Sequence, residues 1–183
     1  MANALKKSQP RPASDAVGEL PNGKAGKAEK AIGRPPRVDV GAGVVAHWVT
    51  GPAGVKNPKE MSPALVIQAL RAGLPIRELD QLRQGLDLPM DKLAPMLGIS
   101  KATLHRRKAT GRLDVAESDR VLRFARLLGK ATSVLESIEQ GRRWLTSPQV
   151  GLGGSVPLEY AETEAGAREV ENLLGRIEYG VYS

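Results

Sequence analysis

Between Met90 and Ala109 the chain reads MDKLAPMLGISKATLHRRKA, two short helical patterns hinged at Gly98, the second loaded with cations. Arginine and lysine on an exposed helix face can take guanine edges or phosphate oxygens, and serine and threonine hydroxyls can take phosphates. Ser100, Lys101, Thr103, His105 and Arg106 are therefore the candidate DNA-binding residues, with Arg106 as base reader and Lys101 and His105 as its helpers. A bidentate arginine is worth roughly 1–3 kcal/mol of base discrimination, whereas a phosphate contact adds affinity without choice. One such module reads only a few base pairs, so useful selectivity calls for a homodimer on a palindrome. The rival reading of the same residues is an ordinary helical hairpin with a solvated basic face.

Spacing says which elements hold these side chains. Leu93 and Leu97 lie four apart and share a face, and Ala94 beside them is small enough for a close helix crossing. Gly98 permits the left-handed backbone that ends a helix, and Ile99 then points back into the core. Ser100 is a good N-cap for the second helix, with Leu104 as its buried anchor. Two residues fit this register badly. Pro95 falls inside the first helix, where it removes a backbone hydrogen bond and costs about 3 kcal/mol unless the helix starts late. Arg107 occupies a turn that packs inward, so it must snorkel or pair with an acid.

Composition narrows the function classes. A chain of 183 residues holds one sizeable domain with extra segments, or two small ones. Aromatic residues are 3% of it, so the core must be aliphatic. The absence of cysteine excludes disulfides and thiolate metal sites. His47 and His105 lie far apart with no ligand spacing around them, and no paired acids or nucleophile–base set appears. Gly151-Leu152-Gly153-Gly154 lacks the preceding strand that a dinucleotide site needs. The expectation is a non-enzyme without catalytic residues, metal or cofactor. No stretch is long and apolar enough to span a membrane and no secretion signal opens the chain, so a cytoplasmic protein is expected.

Charge is unevenly spread. Residues 1–62 carry ten Lys/Arg against five Asp/Glu, and residues 63–130 carry thirteen against seven. Residues 131–183 reverse the balance, with four against eight. The basic front suits phosphates, while the acidic rear is better suited to a protein partner.

No segment alternates in polarity as a strand does, so the expected fold is all-α. Residues 1–60 are rich in Gly, Ala, Pro and Lys without sustained periodicity and read as a flexible, largely disordered basic arm. Within the arm, Val44 to Val49 is an apolar patch able to dock on the folded part, and Gly33 to Arg37 faintly resembles an AT-hook core. A helix–turn–helix bundle is expected over residues 61–130. It opens at Ser62-Pro63, continues in a helix near Ile76 to Gln84 ended by Gly85, and closes in a helix from about Ala116 to Leu128. On that last helix Val121, Phe124, Ala125 and Leu128 share the buried face, leaving Arg120, Arg123 and Arg126 to solvent or phosphates.

A small helical domain is expected over residues 131–183. It comprises a helix from Ala131 to Gln140, the Arg142-Arg143-Trp144-Leu145 turn, a helical turn at Pro157-Leu158, and a final helix from Glu164 to Ile177. Two of the three tyrosines, Tyr179 and Tyr182, fall in the last five residues around Gly180 and Val181. Such a tail can enter a concave partner, since aromatic rings give much contact area at low entropy cost, or it can fold back on its own final helix.

Several segments together carry a family resemblance: SPALVIQALRAGLP (62–75), LGISKATLHRRKATGRL (97–113), ESDRVLRFARLL (117–128), RRWLTSP (142–148) and LGGSVPLEYAETEAGAREVENLLGRIEYGVY (152–182). Residues 62–183 resemble an antitoxin of the Xre/MbcA/ParS type, in which an Xre-like DNA-binding bundle precedes a toxin-binding domain. The resemblance implies a cognate RES-domain toxin that destroys NAD+, blocked by direct contact, and repression of the pair's own operon at its promoter. It puts Leu174, Arg176, Ile177, Tyr179, Val181 and Tyr182 at the toxin, within a larger toxin–antitoxin complex, and leaves Trp144, Leu158, Arg142 and Arg143 as scaffold. The alternative is a stand-alone helix–turn–helix regulator whose C-terminal domain serves dimerisation.

Overall fold

Ser62, Ser100, Asp114, Ser137 and Thr163 each cap the helix that follows with a side-chain oxygen, and prolines stand at the start of three others. The computed structural model describes residues 43–49 and 62–181. Helices α1 (Val44–Val49), α2 (Pro63–Ala72), α3 (Ile76–Leu86), α4 (Met90–Met96) and α5 (Lys101–Thr110) precede the long α6 (Val115–Val134). Helix α7 (Ile138–Thr146), a 3-10 turn (Val150–Leu152), α8 (Pro157–Tyr160) and α9 (Glu164–Glu178) follow. The described residues contain isolated β-bridges, Pro75 with Arg112 and Gln149 with Ser155, and no strand.

Ser62 caps α2, its Oγ accepting the Leu65 N–H, and Pro63 opens the helix where no N–H is needed. Gly73 ends it at φ 76°, and a Cβ there would run into the Leu113 carbonyl. Three hydrogen bonds then tie the turns on either side of the α3–α5 hairpin. Leu113 N–H donates to Leu74 O at 2.8 Å, Ile76 N–H to Gly111 O at 3.0 Å, and Leu74 N–H to Ser118 Oγ at 2.8 Å.

Helix α6 is the central element. Val121, Phe124, Ala125 and Leu128 are fully buried along it, as the periodicity requires, and Leu127 and Ala131 extend the same core. One apolar core runs from Leu79, Leu82 and Leu93 through Phe124 to Leu145, Leu158, Val170 and Leu174. Fully burying an aliphatic side chain contributes roughly 1.5–3 kcal/mol, so this nearly phenylalanine-free interior is held by the number of its leucines.

Four expectations are corrected. Gly85 does not end α3. It is buried within the helix, which runs on to Leu86 and is capped at Asp87 in left-handed backbone (φ 55°), a conformation aspartate tolerates better than most residues. The Arg142 guanidinium then donates to the carbonyls of Gly85 and Gln84, satisfying the helix end. Helix α6 does not stop at Leu128. It continues to Val134, across the expected boundary at residue 130, and Ser137 rather than Ala131 starts the next helix by capping Gln140 N–H. Leu104 is half-buried rather than enclosed. Finally, the expected arm does not run unbroken to residue 60, because its apolar patch docks on the core as its composition allows. Val44 and Val45 of α1 are buried against α3 and α6, and Val45 N–H donates to the buried Glu78 carboxylate at 2.9 Å. The remainder of the arm, including the stretch Gly33 to Arg37, lies outside the described residues.

Candidate nucleic-acid and partner-binding surfaces

Gly98, at φ 65°, makes the turn between α4 and α5, and Ile99 is buried behind it with its N–H on Ala94 O at 2.8 Å. Pro95 does sit within α4, but near its end, so the missing donor costs a helix of only seven residues one bond. Ser100 caps α5 as its sequence position implies. Its Oγ accepts the Thr103 N–H at 3.1 Å and donates to Thr103 Oγ1 at 3.0 Å. Those two hydroxyls therefore order the helix start first, and reach a phosphate only in addition to that pairing. Lys101, His105 and Arg106 are exposed on α5 and make no ion pair to another described residue.

Arg107 resolves the misfit in the sequence register by pairing. Its Nε lies 2.7 Å from Glu117 Oε2 and its Nη2 lies 2.7 Å from Asp114 Oδ2. Asp114 and Glu117 also form a reciprocal cap on α6, each side chain accepting the other's backbone N–H. The hydrogen bond to Glu117 raises the Arg107 pKa above its ordinary value, with Asp114 adding to it. Helix α5 is thus locked to the start of α6 by charge.

The three outward arginines of α6 are engaged within the chain, which corrects the reading of a solvated or phosphate-facing stripe. Arg120 donates to the Leu97 carbonyl at 3.1 Å, pinning the turn before α5. Arg123 bridges Asp119 at 2.9 Å and Glu164 at 3.1 Å and donates to Glu162 O, while Arg126 faces Glu171 at 3.5 Å. With Lys130 opposite Glu178 at 3.6 Å, these pairs run in step along α6 and α9. Hydrogen bonding from Arg168, with the charge of Arg123 behind it, holds the Glu164 carboxyl below its ordinary pKa. Sequence periodicity placed these arginines on one face but could not show which acids a second helix would bring to it.

At the C-terminal end the candidate contact residues divide by burial. Leu174 is fully buried, so it supports the core and does not meet a partner, correcting its place in the expected contact set. Arg176 and Ile177 are half-buried, whereas Tyr179 is 80% and Val181 is 53% exposed. The chain turns at Gly180 (φ 67°), with Val181 N–H on Arg176 O at 2.9 Å and Gly180 N–H on Ile177 O at 3.2 Å. The backbone turns back at the helix end, and Tyr179 and Val181 remain exposed there. Tyr182 lies outside the described residues. Trp144 packs half-buried on the core and Leu158 is fully buried.

Among the described residues no group of His, Cys, Asp or Glu could hold a metal ion, and no helix is long and apolar enough to cross a membrane.

Two domain families match this arrangement. Residues 65–126, α2 through most of α6, match the Antitoxin Xre-like helix-turn-helix domain, and residues 130–180 match the Antitoxin Xre/MbcA/ParS C-terminal toxin-binding domain. A curated relative, Antitoxin Xre of Yersinia enterocolitica, is 31% identical over 122 residues, covering 65% of this chain and 82% of the relative. The chain belongs to the Xre antitoxin family. Antitoxin Xre of Photorhabdus laumondii is likewise 31% identical over 116 residues, 62% of this chain and 78% of the relative. A more distant relative in Sphingobium, the Prs ADP-ribosylating antitoxin, is 25% identical over 146 residues, 73% of this chain and 91% of its own. For this Xre-family chain, the exposed cations of α5 fall in the helix-turn-helix match and the exposed lip at Tyr179 falls in the toxin-binding match.

Proposed function

We propose that this antitoxin neutralises a RES-type, NAD+-degrading toxin by direct contact through the end of α9 and its tail, and represses its own operon through α5. The observation that carries the reading is Tyr179, 80% exposed at the end of the last helix in a domain family described as toxin-binding. Large aromatic rings left in water are costly unless a partner covers them, and they dominate binding energy when it does. Lys101, His105 and Arg106 supply the DNA side, read as a homodimer on a palindromic operator within a cytoplasmic toxin–antitoxin complex. The name of the Sphingobium relative points to ADP-ribosylation, a reaction that also consumes NAD+, and so to a partner of related chemistry.

The test is co-expression of the chain with the toxin encoded beside it, following cellular NAD+. Depletion by the toxin alone and protection by the pair supports the reading. Toxicity with an ADP-ribosylated target protein, and NAD+ lost only in step with that modification, replaces the RES toxin with an ADP-ribosylating one. Failure of the chain to bind a promoter fragment containing its own operon start removes the repressor half.

A further inference from the structure

Gly175 of α9 is a glycine that nothing else in the described chain requires. A Cβ placed there meets no atom within 4 Å, whereas one at Gly166 would strike the Tyr160 carbonyl and one at Gly151 would come within 2.6 Å of Leu173. Gly175 also has ordinary right-handed helical backbone, unlike Gly180, so no positive φ calls for it. Glycine inside a helix is less stable than alanine because its unfolded backbone is freer. A residue that weakens its own helix and packs against nothing leaves bare backbone facing outward.

That backbone floors an open groove of about 580 Å³. Glu171, Arg176, Tyr179 and Val181 line it on the α9 side and Lys130 of α6 on the other. Residues 171, 175 and 179 recur at the four-residue step that stacks them on one helix face. The charges inside are already sorted: Glu171 faces Arg126 and Lys130 faces Glu178, while half-buried Arg176 has no ion-pair partner among the described residues. An unmatched guanidinium beside exposed apolar side chains, in an otherwise acidic region, fits a partner that brings a carboxylate.

We propose that the groove seats a carboxylate-bearing segment of the toxin. The segment closes onto the bare backbone at Gly175, pairs its carboxylate with Arg176 and lays its apolar flank on Tyr179 and Val181. The proposal rests on the reading that the toxin docks on the C-terminal domain, to which the matched residues 130–180 belong. It adds that Gly175 is present for the complex and against the free protein.

The full chain and its purified cognate toxin test this with Gly175→Ala, Gly175→Leu and Arg176→Glu, reading melting temperature, toxin affinity and operator affinity. Gly175→Ala should raise the melting temperature of the free antitoxin by about 2–4 °C while weakening toxin binding by about threefold. Gly175→Leu and Arg176→Glu should each weaken toxin binding at least about tenfold, with operator binding unchanged. A lower melting temperature for Gly175→Ala would overturn the proposal, because the glycine would then serve the fold. Wild-type binding that survives Gly175→Leu and Arg176→Glu within about twofold overturns the groove but leaves C-terminal toxin docking in place. Failure of the wild-type chain itself to bind the toxin defeats both.

Discussion

Arg107 Nε lies 2.7 Å from Glu117 Oε2, and that same oxygen accepts the Asp114 backbone N–H at 2.9 Å. One buried carboxylate therefore closes the cap of α6 and clamps the C-terminal turn of α5. Glu117→Ala removes both functions and should cost about 1–3 kcal/mol in urea unfolding, since it deletes a cap and strips the acceptor from a clamped guanidinium. Asp114→Ala, whose carboxylate is half exposed, should cost less. Equal losses for the two would show that the burial of Glu117 adds nothing to the cap and ion pair it shares with Asp114.

The exposed cations of α5 and the engaged arginines of α6 should separate in DNA binding. Arg106 is exposed on α5, so Arg106→Ala should change stability by no more than about 0.5 kcal/mol while reducing operator affinity and sequence preference. Arg123→Ala breaks contacts to Asp119, Glu164 and the Glu162 carbonyl, and should lower stability by about 1 kcal/mol without changing the salt dependence of DNA binding. A shallower salt slope for Arg123→Ala would place that arginine on phosphate after all.

Glu78 has a pKa raised above its ordinary value of 4.5, chiefly by burial, although the Val45 N–H and the charge of Arg77 oppose the shift. An acid whose pKa rises on folding is held more tightly as the protonated form in the native state. Its contribution to stability is therefore best below pH 4.5 and declines as pH climbs through the raised value. Glu78→Gln keeps a carbonyl to accept the Val45 N–H and removes the titration. Its stability relative to wild type should rise as pH climbs above 4.5 through the raised value and level off beyond it. A difference that does not vary with pH would mean the carboxyl titrates as an ordinary exposed acid.

The division between what periodicity revealed and what it missed follows the range of the interactions. The α4–α5 turn was legible because Gly98, Ile99 and Ser100 each satisfy a local rule within four residues. The partner of Arg107 was legible only as a requirement, since Asp114 and Glu117 return to it through the turn at Gly111. The docking of Val44 and Val45 depends on Glu78, thirty-three residues from Val45, and no local pattern reports that pairing. The same limit explains Arg123 and Arg126, whose partners Glu164 and Glu171 lie on α9. Helix ends went wrong where glycine was read as a stop: Gly85 is interior because an arginine fifty-seven residues away reaches its carbonyl.

Leu174 and Tyr179 sit five residues apart at the end of α9 and should fail in opposite ways. Leu174 is fully buried, so Leu174→Ala leaves a cavity and should cost about 2–5 kcal/mol of stability. Toxin neutralisation should then fall only in proportion to the unfolded fraction, and operator binding should fall with it. Tyr179 is 80% exposed and anchors no core contact, so Tyr179→Ala should leave the melting curve and DNA binding intact. It should weaken toxin binding by about 2 kcal/mol or more, a loss typical of an aromatic anchor. Calorimetric titration of each variant with toxin, beside a thermal melt, separates the two. If Tyr179→Ala binds toxin as wild type does, the exposed lip is not the contact, and the partner must reach α9 from another face.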